Sequence, residues 1–220
     1  YTPGVTSFTV TKVWDDANNQ DGIRPTSVQV QLYADGEKVD GQVVTLNEGN
    51  GWTDSFTGLD KYRYNTETKA NEEITYTVKE ITTIDGYTTT TDRQVTAAKA
   101  ATDTEPAADA LTTITITNKH EPKTTQIKVN KVWEDGNNRD NIRPAEVVVN
   151  LTAKVDGVVE TSLCKSHEIV AGADGDWSYT FENLFVKHNG KDVVYSVSEE
   201  PVTGYEPDVS DPYTDPENSK

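Results

Sequence analysis

A lysine, a glutamate and an asparagine are the residues of this sequence whose types and positions could together form a covalent bond. Lys12, Glu80 and Asn118 fall on the apolar side of three segments in which every second residue is apolar. Because successive side chains of a β-strand point to opposite faces, all three are predicted to face a core. The apolar members of these segments are Phe8, Val10 and Trp14, then Ile74, Tyr76 and Val78, then Ile114 and Ile116.

Two interpretations of the inward polar residues are open. Burying an unpaired charge is costly, so the first is a buried Lys12–Glu80 ion pair with Asn118 as a hydrogen-bonding filler. The second is covalent, because an amine that burial keeps neutral is a nucleophile, and a neighbouring glutamic acid could polarise the carboxamide and transfer protons. Attack on Asn118 would expel ammonia and leave an amide bond between the two side chains. Folding would supply the high effective molarity that this reaction needs.

The lysine and the glutamate occur twice, because the whole sequence is an internal repeat. The string VTKVWDDANNQDGIRPTSVQVQL returns as VNKVWEDGNNRDNIRPAEVVVNL, which places Lys131 119 positions after Lys12. Glu199 follows Glu80 at the same offset. Further matched pairs are Trp14 with Trp133, Arg24 with Arg143, Trp52 with Trp177, Phe56 with Phe181, Leu59 with Leu184 and Tyr87 with Tyr205. We therefore predict two domains, residues 1–121 and 122–220.

The second copy differs from the first at its end. The first copy closes with the strand-like run TTITITNKH, whereas the second ends in DVSDPYTDPENSK, where two prolines disfavour a strand. We expect the second domain to lack its last strand. Asn218 is the remaining candidate partner for Lys131, and its position near the end of the chain is the only argument for it.

The fold class follows from residue usage and periodicity. Threonine and valine are abundant, apolar runs are short and alternating, and no stretch has sustained helical periodicity. Turn signals such as Ala34-Asp35-Gly36 and Asn189-Gly190 separate the runs. The sequence therefore predicts an all-β protein with two tandem antiparallel β-sandwiches, each large enough for one modest core.

Composition narrows the classes of partner and cofactor. The formal net charge of -17 leaves no basic patch for a nucleic acid or an anionic membrane surface. Cys164 is the single cysteine, so no internal disulfide is expected, and no apolar run is long enough to span a membrane. The three histidines, His120, His167 and His188, lack metal-ligand spacing. We expect neither a metal nor a cofactor.

At these residues the chain resembles the collagen-adhesin B-type (CnaB-like) repeat domains of Gram-positive surface proteins and pilins. The matching features are K-V-W-D/E-D followed by R-P, the Y-x-V-x-E strand followed by G-Y, and the terminal I-T-N. The resemblance implies an immunoglobulin-like sandwich with an autocatalytic Lys–Asn isopeptide bond. Lys12 would be the nucleophile, Asn118 the electrophile and Glu80 the proton shuttle, and Lys131 and Glu199 would have the same roles in copy two.

Two functions remain in competition. The leading one is a stalk or pilin segment of an extracellular, cell-wall-attached surface protein, whose partners are adjacent domains or subunits and whose crosslinks replace disulfides. The alternative is an adhesin module that binds a host protein or carbohydrate, with host extracellular matrix as its partner and the segment from Val95 to Ala110 as its candidate loop. A turnover enzyme is disfavoured, because the single reactive constellation would be consumed by its own reaction.

Overall fold

The computed structural model describes residues 4–96 and 111–209. Two compact units are present, one formed by residues 1–18 and 24–121 and the other by residues 19–23 and 122–220. Strands dominate both, and the two helices of the described ranges are three-residue 3₁₀ turns at Glu48–Asn50 and Thr161–Leu163. No described helix is long and apolar enough to cross a membrane. The predicted all-β class with two tandem sandwiches is confirmed.

The first unit is built from two facing sheets and a small hairpin. One sheet has the strand order β4-β1-β9-β8, the other has the order β3-β2-β7, and β5 pairs with β6. The strands are β1 (Val5–Asp15), β2 (Ser27–Ala34), β3 (Glu37–Asn47), β4 (Thr53–Asp60), β5 (Tyr62–Asn65), β6 (Ala70–Glu73), β7 (Tyr76–Glu80), β8 (Thr88–Thr96) and β9 (Leu111–Lys119).

The direction of one strand pair differs from the purely antiparallel sandwich that the sequence suggested. β1 and β9 run parallel, with Lys12 opposite Ile116 and Trp14 opposite Asn118. Every other strand pair of this unit is antiparallel. A parallel first and last strand is a consequence of topology, and the alternation of apolar residues is the same for either direction.

The core of the first unit forms where the alternating apolar residues of the two sheets meet. Val10 and Ile116 are fully buried on one sheet, and Val30 and Leu32 are fully buried on the other. Phe8 and Phe56 pack with ring centroids 5.4 Å apart. This core surrounds the inward side chains of β1, β7 and β9, which are the three strands that the predicted site requires.

The second unit repeats the arrangement without described counterparts of β8 and β9. β10 pairs with β14, and a separate sheet has the order β12-β11-β16-β15 with β13 on β11. The strands are β10 (Thr124–Asn130), β11 (Glu146–Val155), β12 (Val158–Val159), β13 (Lys165–Val170), β14 (Ser178–Phe185), β15 (Lys187–His188) and β16 (Lys191–Glu199). Ile127 and Val129 are only partly buried, whereas their counterparts Phe8 and Val10 are buried.

Candidate crosslinking site

Three strands of the first unit bring the predicted lysine, glutamate and asparagine together. Lys12 comes from β1, Asn118 from the parallel neighbour β9, and Glu80 from the end of β7 in the facing sheet. Lys12 is 4% exposed and Asn118 is 0% exposed. The Glu80 side chain is 3% exposed. The site therefore lies between the two sheets and is shielded from water.

The Glu80 carboxyl lies between the amine and the carboxamide. Asn118 Nδ2 donates a hydrogen bond of 2.8 Å to Glu80 Oε1. Lys12 Nζ lies 3.6 Å from the other oxygen, Glu80 Oε2. The amine also donates to the carbonyls of Val13 at 3.2 Å and Ile116 at 3.4 Å. Among the described atoms, Glu80 Oε2 and Asn118 Oδ1 are buried without a hydrogen-bond partner.

Burial makes the lysine a better nucleophile. Desolvation lowers the pKa of Lys12 from its usual 10.5 to about 8, although the nearby Glu80 carboxyl acts to raise it. A larger share of the amine is therefore uncharged near neutral pH than for an exposed lysine. The indole of Trp14 contributes to this shielding, because Lys12 Nζ lies 4.2 Å from its ring centroid.

The arrangement can exchange one amide for another. The lone pair of Lys12 Nζ would attack Cγ of Asn118, forming the Nζ–Cγ bond while the Cγ–Nδ2 bond breaks. Glu80 Oε2 is placed to take the proton that the amine loses, and the carboxyl can return a proton from Oε1 to the departing Nδ2. The products would be an amide crosslink and ammonia, with atoms and charge balanced and the carboxyl regenerated.

Residues that the sequence analysis left without a role complete the surroundings. Asp16 is 1% exposed and is bound by the side chains of Arg24 and Tyr87. Trp14 contacts Trp52 and Tyr87 edge to face. The signal that could have identified these residues is their recurrence, because the counterparts Asp135, Arg143, Tyr205, Trp133 and Trp177 make the matching contacts in the second unit.

Among the described residues, the second unit holds counterparts of two of the three groups, the lysine and the glutamate. Lys131 Nζ donates to Glu199 Oε2 at 2.9 Å, and the two side chains are 15% and 10% exposed. Glu199 Oε1, whose counterpart in the first unit bonds the asparagine, is buried and has no partner among the described atoms. A cleft of about 840 Å³ opens beside Lys131 and extends to Tyr205. Asn218, the candidate partner, lies outside the described residues.

The three histidines make other contacts, and the ring of His120 packs against Tyr87 with centroids 5.2 Å apart. His120 Nδ1 lies 2.7 Å from the carbonyl of Gly86. His167 stacks on Tyr179 with ring centroids 3.4 Å apart. His188 lies 3.7 Å from a Glu160 carboxylate oxygen. Within residues 4–96 and 111–209, no group of three or more His, Cys, Asp or Glu side chains could hold a metal ion.

Comparison with known proteins identifies the family. The model of the Cna protein B-type domain matches residues 8–119 and, a second time, residues 127–217. The chain belongs to this family. It is 40% identical over 210 residues to a collagen adhesin of Staphylococcus aureus, a match that covers 96% of the chain and 15% of the adhesin. The resemblance that the motifs indicated is thereby confirmed.

Structures of B repeat units of a collagen binding protein from the same organism are also similar to this chain, and the two-repeat structure matches its fold. A crystal structure of two B repeat units of the collagen binding protein of S. aureus is 38% identical, with a TM-score of 0.71 over 96% of this chain and 48% of that chain. A structure of a single B repeat unit is 34% identical, with a TM-score of 0.37 over 92% of this chain and 90% of that one. The chain therefore spans a small part of the adhesin and about half of the two-repeat structure.

Proposed function

We propose that this chain is a rigid spacer in a Gram-positive surface protein and that a Lys12–Asn118 amide bond locks its first domain. The observation that carries the proposal is the position of the buried Glu80 carboxyl, which lies 2.8 Å from Asn118 Nδ2 and 3.6 Å from Lys12 Nζ. An ion pair by itself would not require a buried asparagine bonded to the same carboxyl. Lys131 and Glu199 would have the same roles in the second domain, where Asn218 is the candidate partner.

The strand topology explains what such a bond would do under tension. β1 enters the first unit and β9 leaves it, and the two strands lie side by side and parallel from Thr9 opposite Thr113 to Asp15 opposite Lys119. Tension on the ends of this unit would therefore shear β1 along β9. A bond between Lys12 and Asn118 would carry the load across that pair, so the chain between them would bear none. The domain would keep its length under force without a disulfide.

The cellular setting of the proposal rests on the family. The curated relative is a collagen adhesin, and this chain aligns with 15% of it. We assign to this chain an extracellular, cell-wall-attached location and a place among neighbouring domains or subunits of one surface protein. Direct adhesion is the weaker function. Most of its candidate loop, from Val95 to Ala110, lies outside the described residues, and no described contact supports it.

Intact-mass spectrometry tests the crosslink. The wild-type chain should be lighter than its sequence by one ammonia for each bond formed, and digestion should release a branched peptide that joins the segments around Lys12 and Asn118. The ammonia loss that belongs to the first unit should disappear in each of the variants Lys12→Ala, Glu80→Gln and Asn118→Ala. Glu199→Gln is the matched control, because it makes the same change at the equivalent site and should leave the first-unit branched peptide intact. A wild-type chain with the full sequence mass would refute the proposal.

A further inference from the structure

A buried carboxylate lies directly beyond the reactive lysine. Asp16 follows β1 and accepts two hydrogen bonds from Arg24, from Nε at 3.0 Å and from Nη2 at 2.6 Å. The hydroxyl of Tyr87 donates to the same carboxylate at 2.8 Å. We call Asp16, Arg24 and Tyr87 the Asp16 cluster. Three donors in fixed geometry make it rigid, and the guanidinium offsets the charge of the carboxylate.

The Asp16 cluster fixes the ring that covers the amine. The ring of Tyr87 meets Trp14 edge to face at 5.4 Å, and the Arg24 guanidinium carbon lies 5.3 Å from the Trp14 centroid. Trp52 supports the indole with a second edge-to-face contact at 5.2 Å. Lys12 Nζ and the Arg24 guanidinium therefore lie over the same indole, which covers the amine and holds a second cation near it.

The second unit contains the same assembly, with no asparagine strand beside it among residues 111–209. Arg143 and Tyr205 bind Asp135 with the same three distances of 3.0, 2.6 and 2.8 Å. Lys131 Nζ lies 4.4 Å and the Arg143 guanidinium 5.2 Å from the Trp133 centroid. No described strand occupies the free edge of β10. The contacts of the cluster therefore do not depend on a described neighbouring strand.

We propose that the Asp16 cluster is a positioning device for the crosslinking reaction, a role that rests on the proposed function. It holds Trp14 against Lys12, and Arg24 offsets the Asp16 charge that would otherwise keep the amine protonated. The ionisable groups around Lys12 are Glu80 from β7, Asp16 and Arg24 from the segment after β1, and the Tyr87 phenol. Burial is the main cause of the lowered pKa of Lys12, while the Glu80 and Asp16 carboxylates act to raise that pKa and Arg24 acts to lower it.

The test is a titration of Lys12 in a chain that cannot form the bond. In an Asn118→Ala background, the ¹³Cε NMR shifts of labelled lysine are followed against pH and give the titration midpoint of Lys12. The signal of Lys12 is the one that disappears in the Lys12→Met variant. Arg24→Gln should raise the midpoint by about one pH unit, which is about tenfold less neutral amine at pH 7. Adding Asp16→Asn should return the midpoint towards that of the parent. Arg143→Gln, the same change in the second unit, should not move it.

Two further measurements separate positioning from general stability. With Asn118 restored, Arg24→Gln should slow ammonia loss about tenfold at pH 7 and recover at pH 9, whereas mere destabilisation would lower the yield at both values. Tyr87→Phe keeps the ring and removes one hydrogen bond, so it should shift the midpoint in the same direction by less. The proposal is overturned if Arg24→Gln leaves the titration midpoint of Lys12 unchanged. It is also overturned if the Arg24→Gln/Asp16→Asn chain has the same midpoint as the Arg24→Gln chain. The titration does not depend on bond formation, so failure of the crosslink itself would be seen separately, in the mass of the wild type.

Discussion

Replacing Glu80 by glutamine should uncouple the first and last strands of the first domain with almost no change in volume. The glutamine side chain keeps the shape of the glutamate but can neither take a proton from Lys12 nor return one to the Asn118 amide. The domain should therefore fold with all three side chains in place and remain uncrosslinked. The stability it loses is mainly the contribution of the covalent bond, which can be worked out from the length of the loop that the bond closes.

A bond from Lys12 to Asn118 closes a loop of about 105 residues, for which the chain-entropy relation gives about 5 kcal/mol at 25 °C. For a unit of this size that corresponds to a fall in Tm of about 20 °C. The assay is differential scanning calorimetry beside intact-mass spectrometry, with Asn118→Ala as a second uncrosslinked chain. Glu199→Gln controls for losing a lysine–glutamate pair and should leave the first-unit transition in place. The reasoning is refuted if Glu80→Gln still loses the ammonia, or if it keeps its full mass with an unchanged Tm.

Three other outcomes are expected. Burial lowers the pKa of Lys12 from 10.5 to about 8, so between these pH values the unfolded state of an Asn118→Ala chain binds a proton that the folded state does not. Urea unfolding should therefore show the free energy of unfolding rising by up to about 3 kcal/mol between pH 8 and 10.5. The rise should vanish in the Lys12→Met/Asn118→Ala chain. The peptide LTTITITNKH should form an adduct on Lys131 with loss of one ammonia, and its Asn→Ala version should not. Loss of two ammonia molecules from the chain without added peptide would mean that Asn218 or another residue is already the crosslinking partner of Lys131. Cys164→Ser should shift the urea midpoint only slightly, because a hydroxyl can replace both long hydrogen bonds of the half-buried thiol, one donated to the Glu160 carbonyl at 3.5 Å and one accepted from Ala153 N–H at 3.4 Å. A loss of several kcal/mol would contradict this.

Alternation along single strands was enough to predict which polar side chains point inwards. Lys12 and Asn118 are buried because parity within a strand is a local property that the sequence displays directly. The parallel pairing of β1 with β9 was not predictable in this way, because it joins segments about 100 residues apart and leaves the same alternation. Nor was the Asp16 cluster, since Arg24 and Tyr87 lie in irregular segments without a period. Only their recurrence in the second copy marked them.

Burial of the second lysine shows the limit of the same argument. Lys131 has the parity of Lys12, yet its side chain is 15% exposed, and it follows the end of β10 rather than lying within a strand. The alternation along a strand decides to which side a side chain points, whereas its burial also depends on the neighbouring strand. In the first unit that neighbour is β9, and the second unit has no described equivalent.

The two units show the lysine–glutamate contact with and without a described asparagine beside it. Without a described asparagine, Lys131 and Glu199 form a direct contact of 2.9 Å. With Asn118 present, Glu80 Oε1 accepts a hydrogen bond from the amide, and the lysine lies 3.6 Å from Oε2. In both units the lysine contacts Oε2, while Oε1 bonds the asparagine in the first unit and has no partner among the described atoms of the second. Under the proposed function, docking of the last strand would bring the asparagine to a lysine and a glutamate that are already in contact. The reaction would then be confined to the folded domain, where a crosslink would stabilise the native strand pairing.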